Sequence, residues 1–419
     1  MKKHYFIPKI GCVSEIRIKN FVFNFLFLST CTIFVLMKKT IVFIAMALMT
    51  LAPVMAKGLK GRVIYVNPGH GGWTINDRPH ATMNYEEMDT MSFFESKTCL
   101  WKGLELRDRL EAAGAKVIMS RTRNGWVSEG DKNATINDRF ETYCDENGVQ
   151  QLITLQKIAC QVDSINPDYF IALHSNATGG GDGKKVNYLL YMYRGETGND
   201  YAKGSIERAQ VAFPYAYDNP LTVWTVKETD RYIAGDLTWM GGDPPGTPNV
   251  LGYTGWLAVL KHRVPSFLVE GSFHSYQPER QRLMNRDYCR MEGIRHFRGI
   301  NAWFGGKPEK HGYIAGTIKS ADETVDSPLF NYKEDTDDQW LPLNGATVYL
   351  LDSHNVRIRH YKVDNEWNGF FGFFYLKPGK YSLIYDAPGY ETVIEKIEVK
   401  KDQTTYCKPR LHKINNTVR

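Results

Sequence analysis

Apolar residues are distributed differently in three parts of this chain. Residues 1–56 hold two nearly unbroken apolar runs, Phe21–Met37 and Thr40–Ala56, separated by Lys38 and Lys39. The next 250 residues or so alternate strand-length runs with segments of helical spacing. The first such run, Arg62 to Val66, is apolar and β-branched, and it breaks abruptly at Pro68-Gly69-His70-Gly71-Gly72. From Glu95 to Ala113 the residues Cys99, Leu100, Leu104, Leu106, Leu110 and Ala113 recur at helical spacing. Gly114 caps that helix and Lys116–Met119 begins a strand. A helix is predicted from Leu152 to Ile165, stopped by Asn166-Pro167, and a buried strand from Asp168 to Leu173. Val186–Tyr193 reads as a strand and Ser205–Ala212 as a short helix. A strand over Val264–Val269 and a closing helix over Arg280–Phe304 follow, with a linker starting at Gly305-Gly306-Lys307-Pro308. Residues 73–90 and 121–150 are polar and lack a clear period, so they read as a loop and an insertion. Residues 214–250 are rich in aromatics and glycine; they would line a groove by stacking or pack on themselves. Past residue 312, short apolar stretches (Tyr313–Ile318, Ala346–Leu351, Phe370–Leu376, Tyr381–Tyr385 and Val393–Val399) are separated by turn signals, the pattern of an all-β sandwich.

Chemistry-bearing residues sit where these runs end. His70 lies on the first break, between glycines that allow a sharp turn and close approach of a ligand. His174 follows the apolar run 168–173, and Glu270 follows Phe267-Leu268-Val269. Two histidines and one carboxylate with an open position form a catalytic zinc pattern. A separate carboxylate can then act as general base on the water. A carboxylate at the end of an apolar strand is costly unless it meets a cation or performs chemistry, which singles out Glu270.

These segments resemble the zinc-dependent N-acetylmuramoyl-L-alanine amidases of the amidase-3 family, which cleave peptidoglycan. The likeness rests on the PGHGG loop at 68–72, a Glu opening a helix (Glu95), the H-x-N segment His174-Ser175-Asn176, and Val269-Glu270 near the end of the domain. It covers roughly residues 60–306. It implies an α/β fold with a mostly parallel sheet flanked by helices, His70, Glu95 and His174 as zinc ligands, and Glu270 as the catalytic glutamate. Glu86, Glu87 and Asp89 compete with Glu95 for the ligand role. Glu95 is favoured because a carboxylate in the first turn of a helix is stabilised by the helix dipole. Ser175 and Asn176 are expected to tie the loop and orient His174. The family usually has Asp where this chain has Asn67, so any orienting role at that position loses its charge. His262 and His274 match no ligand of the family motif.

The remaining features bound the biology. Met37-Lys38-Lys39, the second apolar run and Val54-Met55-Ala56 read as a signal peptide, with Met37 as the expected start and Lys57 as the mature end. The chain has 52 basic and 46 acidic residues; residues 1–56 hold seven and one of them, so 45 of each remain and the basic excess disappears. Nothing in that balance argues for nucleic acid. Five cysteines follow residue 56, an odd number without a C-x-x-C pair; Cys144 with Cys160 is the candidate disulfide. Residues 312–412 resemble carboxypeptidase regulatory-like domains through Leu343-Asn344-Gly345-Ala346-Thr347-Val348 and Leu376-Lys377-Pro378-Gly379-Lys380-Tyr381. They carry no catalytic constellation and read as a spacer or docking module. The expected organisation is therefore a leader over 1–56, a catalytic domain over 58–306, a linker over 307–311 and the β-sandwich over 312–412. The expected protein is a periplasmic or secreted zinc amidase acting on peptidoglycan or muropeptides, touching a membrane only through an uncleaved N-terminus. A zinc peptidase and a non-catalytic cell-wall binding protein on the same scaffold are the alternatives.

Overall fold

The computed structural model describes residues 58–70, 93–123, 140–144, 150–178, 185–226, 232–240, 257–326 and 330–414. The leader, Glu86, Glu87 and Asp89 lie outside them. In chain order the first part runs β1 (Val63–Pro68), α1 (Glu95–Ala112), β2 (Lys116–Met119), β3 (Phe140–Cys144), β4 (Gln150–Thr154), α2 (Leu155–Ile165), β5 (Tyr169–Asn176), β6 (Leu190–Tyr193), β7 (Gly195–Glu196), β8 (Asn199–Asp200), α3 (Ser205–Tyr217), β9 (Ile233–Gly235), α4 (Asp236–Met240), β10 (Ser266–Phe273), α5 (Gln277–Leu283) and α6 (Arg286–Trp303). Six of these strands form one sheet in the order β2-β1-β5-β10-β6-β9. Every neighbouring pair is parallel except β10 with β6.

Both faces of this sheet are covered, which is why its central strands read as continuous apolar runs. On one face Ile64, Val66, Ile171, Leu173, Phe267 and Val269 pack with Leu106 and Leu110 of α1, Ala209 and Ala212 of α3, and Phe297 and Ile300 of α6. On the other, Tyr65, Phe170, Ala172 and Leu268 meet Ile158 and Val162 of α2. The approach of α3 to α6 is close: a Cβ at Gly299 would lie 2.9 Å from Ala212 Cα.

Three elements differ from expectation. The segment before α2 is a hairpin, with β3 antiparallel to β4, so α2 begins at Leu155 rather than Leu152. Helix α3 continues through Pro214 to Tyr217, held by its packing on α6. The closing helix is two helices, because the Asn285 side chain accepts from the amides of Asp287 and Tyr288 and starts α6 afresh. Cys160 is an exposed free thiol, so the disulfide with Cys144 does not form. Among the described residues no helix is long and apolar enough to cross a membrane.

The C-terminal region is all β: β11 (Gly312–Thr317), β12 (Lys319–Thr324), β13 (Trp340–Pro342), β14 (Thr347–Leu351), β15 (Arg357–Lys362), β16 (Phe370–Leu376), β17 (Gly379–Asp386), β18 (Val393–Val399), β19 (Thr404–Cys407) and β20 (Arg410–Leu411). They form sheets β16-β11-β19, β13-β12-β20 and β15-β14-β17-β18 around Ile314, Val348, Leu350, Phe371, Phe373 and Leu383. Residues 58–419 form a single compact unit. Tyr313, Ala315, Phe370 and Phe374 share an apolar cluster with Phe93, Leu283, Tyr288, Met291 and Ile294. Fully buried Arg282 of α5 binds Glu279 at 2.7 Å and Asp338, which precedes β13, at 2.7 Å. Asp338 also pairs with Lys319 of β12 at 3.2 Å.

Candidate metal centre

The site forms at the C-terminal ends of β1 and β5, the place where α/β sheets present ligands. β1 ends at Pro68, and two residues later His70 adopts a left-handed φ of 60°. Gly69 N–H donates to Leu173 O at 2.9 Å, so the turn stays stitched to β5. Gly69 has to be glycine: a Cβ there would lie 2.2 Å from Cε1 of His174. Glu95 is the first residue of α1 and is buried, and its carboxylate bridges the two histidines. Oε2 lies 3.0 Å from His70 Nε2, and Oε1 lies 3.2 Å from His174 Nδ1. The Ser175 amide also donates to Oε1, at 2.9 Å. The imidazole rings meet edge to face with centroids 5.0 Å apart. Burial works to raise the Glu95 carboxyl, yet it is held well below the usual carboxylate range by the charge of His70 and by hydrogen bonds from His174 and His70.

The ligand atoms of His70, Glu95 and His174 all lie within 4.8 Å of one another. Two imidazole nitrogens and a carboxylate oxygen are the donor set of a catalytic zinc site. Atoms about 2.1 Å from a common tetrahedral centre stand roughly 3.4 Å apart; each histidine has one Glu95 oxygen near that distance, Oε2 for His70 at 3.0 Å and Oε1 for His174 at 3.2 Å. The residues present therefore fit such an ion.

Glu270 and His174 are register partners across β10 and β5. Val269 and Leu173, which belong to the apolar cluster that packs on α1, directly precede Glu270 and His174. Both strands continue past these residues, to Phe273 and Asn176, so neither side chain lies at a strand end as the apolar runs implied. Asn67 does not serve as an orienting partner of His70. It is buried, its Oδ1 accepts from Ser120 Oγ at 2.5 Å, and its Nδ2 makes no hydrogen bond among the described residues. Ser175 hydrogen-bonds through Oγ to His274 Nδ1 at 2.8 Å, and Asn176 Oδ1 accepts from the Ala177 amide at 2.8 Å. His262 lies away from the centre, buried against Phe170 with ring centroids 4.7 Å apart.

A family model described as N-acetylmuramoyl-L-alanine amidase matches residues 64–302, more than half of the chain. The chain belongs to this amidase family. It is a peptidoglycan amidase, and the described site lies inside the matched region. Similar solved structures include an N-acetylmuramoyl-L-alanine amidase from Clostridium difficile 630, at 18% identity over 59% of this chain and 99% of that one, TM-score 0.39. The catalytic domain of CwlV from Bacillus (Paenibacillus) polymyxa var. colistinus shows 16% identity over 59% and 99%, TM-score 0.39. Ami1 from Mycobacterium smegmatis shows 14% identity over 59% and 99%, TM-score 0.41. No curated protein matches this amidase.

Sequence reasoning missed two buried cations beside the site. Lys102 of α1 is fully buried, pairs with Glu292 at 2.9 Å and reaches His174 O at 3.3 Å. Burial opposes its charge, but Glu292, together with Cys99 and Cys289, holds the ammonium above the usual lysine range. Burial likewise opposes the Glu292 carboxylate, which Lys102 nevertheless holds down at about 2. A lysine at helical spacing between Cys99 and Leu106 was the available signal. The second cation is Arg121. In the described part of the aromatic segment, Trp224 stacks on Tyr217 at 5.4 Å, and Tyr217 and Tyr232 both pack on Phe213.

Proposed function

We propose that this amidase is zinc-dependent, with His70, Glu95 and His174 holding the metal and Glu270 acting as the general base. The observation that carries the reading is the convergence of the three side chains within 4.8 Å. When bound, zinc supplies Lewis-acid polarisation of the scissile carbonyl and lowers the pKa of water. The bond broken joins the lactyl group of N-acetylmuramic acid to L-alanine of the stem peptide. Glu270 takes a proton from the attacking water and delivers it to the leaving amine. Its place beside His174 in the sheet supports that role, since a base must stand within hydrogen-bond reach of the water it activates. The Ser175 amide donates to Glu95 Oε1 at 2.9 Å, a hydrogen bond that favours the ionised carboxylate a metal ligand has to be.

We also place the enzyme in the periplasm or outside the cell, after removal of residues 1–56. Elemental analysis of the purified protein tests the metal assignment. About one zinc per chain is expected in the native protein and much less in His70→Ala. Full occupancy in His70→Ala would remove His70 from the ligand set.

A further inference from the structure

Arg121 is fully buried just past the end of β2, beside the turn that carries His70. Its guanidinium donates to three main-chain carbonyls. Nε reaches Pro68 O at 3.0 Å, and Nη2 reaches Gly69 O at 2.7 Å and Ser96 O at 2.8 Å. The first two acceptors belong to the segment leading into His70, and the third directly follows Glu95 in α1. One rigid planar group therefore spans the backbone under one metal ligand and the backbone under another.

We infer that Arg121 is a positioning residue of the metal centre, a clamp that fixes the separation and orientation of His70 and Glu95. Two features require one. The left-handed backbone of His70, φ 60°, is strained for an L-residue and persists only where its surroundings impose it. Arg121 binds the carbonyl of the very peptide that enters His70. The Glu95 segment, in turn, is joined to β1 by no sheet ladder. It opens α1, which packs on the sheet through side chains, and the Arg121 bond to Ser96 O adds a direct link from the helix start to the backbone of the His70 turn. The fork geometry of arginine suits this task, because several donors stay fixed relative to one another; a lysine ammonium is a point donor on a flexible stem.

The inference rests on the metal reading proposed above, and its test separates the two. The zinc dissociation constant is measured by chelator competition on the full chain for wild type and Arg121→Lys, with the far-UV circular dichroism of each recorded. Cobalt is then substituted and its visible absorption compared. Arg121→Lys keeps the buried charge but loses the fork. It is expected to fold, to bind zinc about 10–100-fold more weakly, the usual effect of removing a group that orients ligands, and to show altered cobalt bands. A purely structural arginine would lower the melting temperature and leave the affinity and the cobalt spectrum of the folded protein unchanged; that result overturns the inference. If Arg121→Lys does not fold, Arg121→Gln is read in the same way, and failure of both to fold shows that Arg121 serves the fold as a whole. Wild type that binds no zinc brings down the metal reading, and this inference with it.

Discussion

The most incisive perturbation of the site is the smallest. In Gly69→Ala the new methyl carbon would stand 2.2, 2.3 and 2.5 Å from Cε1, Nε2 and Nδ1 of His174, and these are the three nearest atoms. Ordinary contact begins near 3.4 Å, so the imidazole would have to withdraw by about 1.2 Å. The backbone at Gly69 is not in the left-handed region, so alanine adds little strain of its own. The cost falls almost entirely on the position of one ligand. A displacement of this size breaks a bond of about 2.0–2.1 Å to zinc. We expect zinc affinity to fall at least 10–100-fold, about 1.4–2.7 kcal/mol, with turnover falling alongside it. Thermal unfolding of the metal-free protein should move far less. Titration of apo-protein with zinc against a chromogenic chelator, beside circular dichroism melts in chelator, separates the two effects. A folded Gly69→Ala protein with wild-type zinc affinity would refute the placement of the His174 ring as a ligand.

Other consequences are as direct. Glu270→Gln keeps shape and an acceptor but cannot take a proton; zinc should remain bound while turnover drops roughly 10²–10⁴-fold, and loss of the metal as well would make Glu270 a ligand. His262 is buried, and desolvation brings its pKa down to about 4 from 6.5, with Asp163 opposing and Arg194 reinforcing the shift. The unfolded chain therefore binds the proton first, and the contribution of neutral His262 to stability, complete above pH 6.5, is lost as pH falls to about 4. In His262→Leu the melting temperature should vary less with pH across that window; identical slopes in both proteins would contradict this. Truncation after residue 311 removes Asp338 from buried Arg282 and uncovers Tyr288, Met291 and Ile294. Breaking a buried ion pair costs about 3–5 kcal/mol, so the truncated chain should be much less stable, and a truncation that melts like the full chain would show the interface to be dispensable.

Much of the sheet was legible because parallel strands buried on both faces leave a plain trace: β1, β5 and β10 are apolar runs whatever surrounds them. The break at Pro68-Gly69 and the start of α1 at Glu95 were legible for similar local reasons. Strand ends were less so. His174 and Glu270 are polar, so the apolar run stops at each, yet the β5–β10 register carries through both residues. Strand β15, Arg-Ile-Arg-His-Tyr-Lys, has no apolar alternation because it is an edge strand held to β14 by backbone pairing and left exposed. Arg121 was hidden for another reason: it acts on carbonyl groups, which every residue has and no sequence pattern marks. The packing of the C-terminal sheets on α5 and α6 depends on pairs more than 50 residues apart, such as Arg282 with Asp338, which single-segment reading does not join.

The central claim is that His70, Glu95, His174 and Glu270 form a zinc centre that cuts the muramoyl–alanine amide. Digestion of purified peptidoglycan, with mass analysis of the products, tests it most directly when run with enzyme alone, with a chelator, and with zinc restored. The account predicts stem peptides with a free L-alanine amino terminus and intact glycan strands, no such release in chelator, and recovery on adding zinc. Release that continues at full rate in chelator on metal-free enzyme, or cleavage confined to bonds within the peptide, would contradict it.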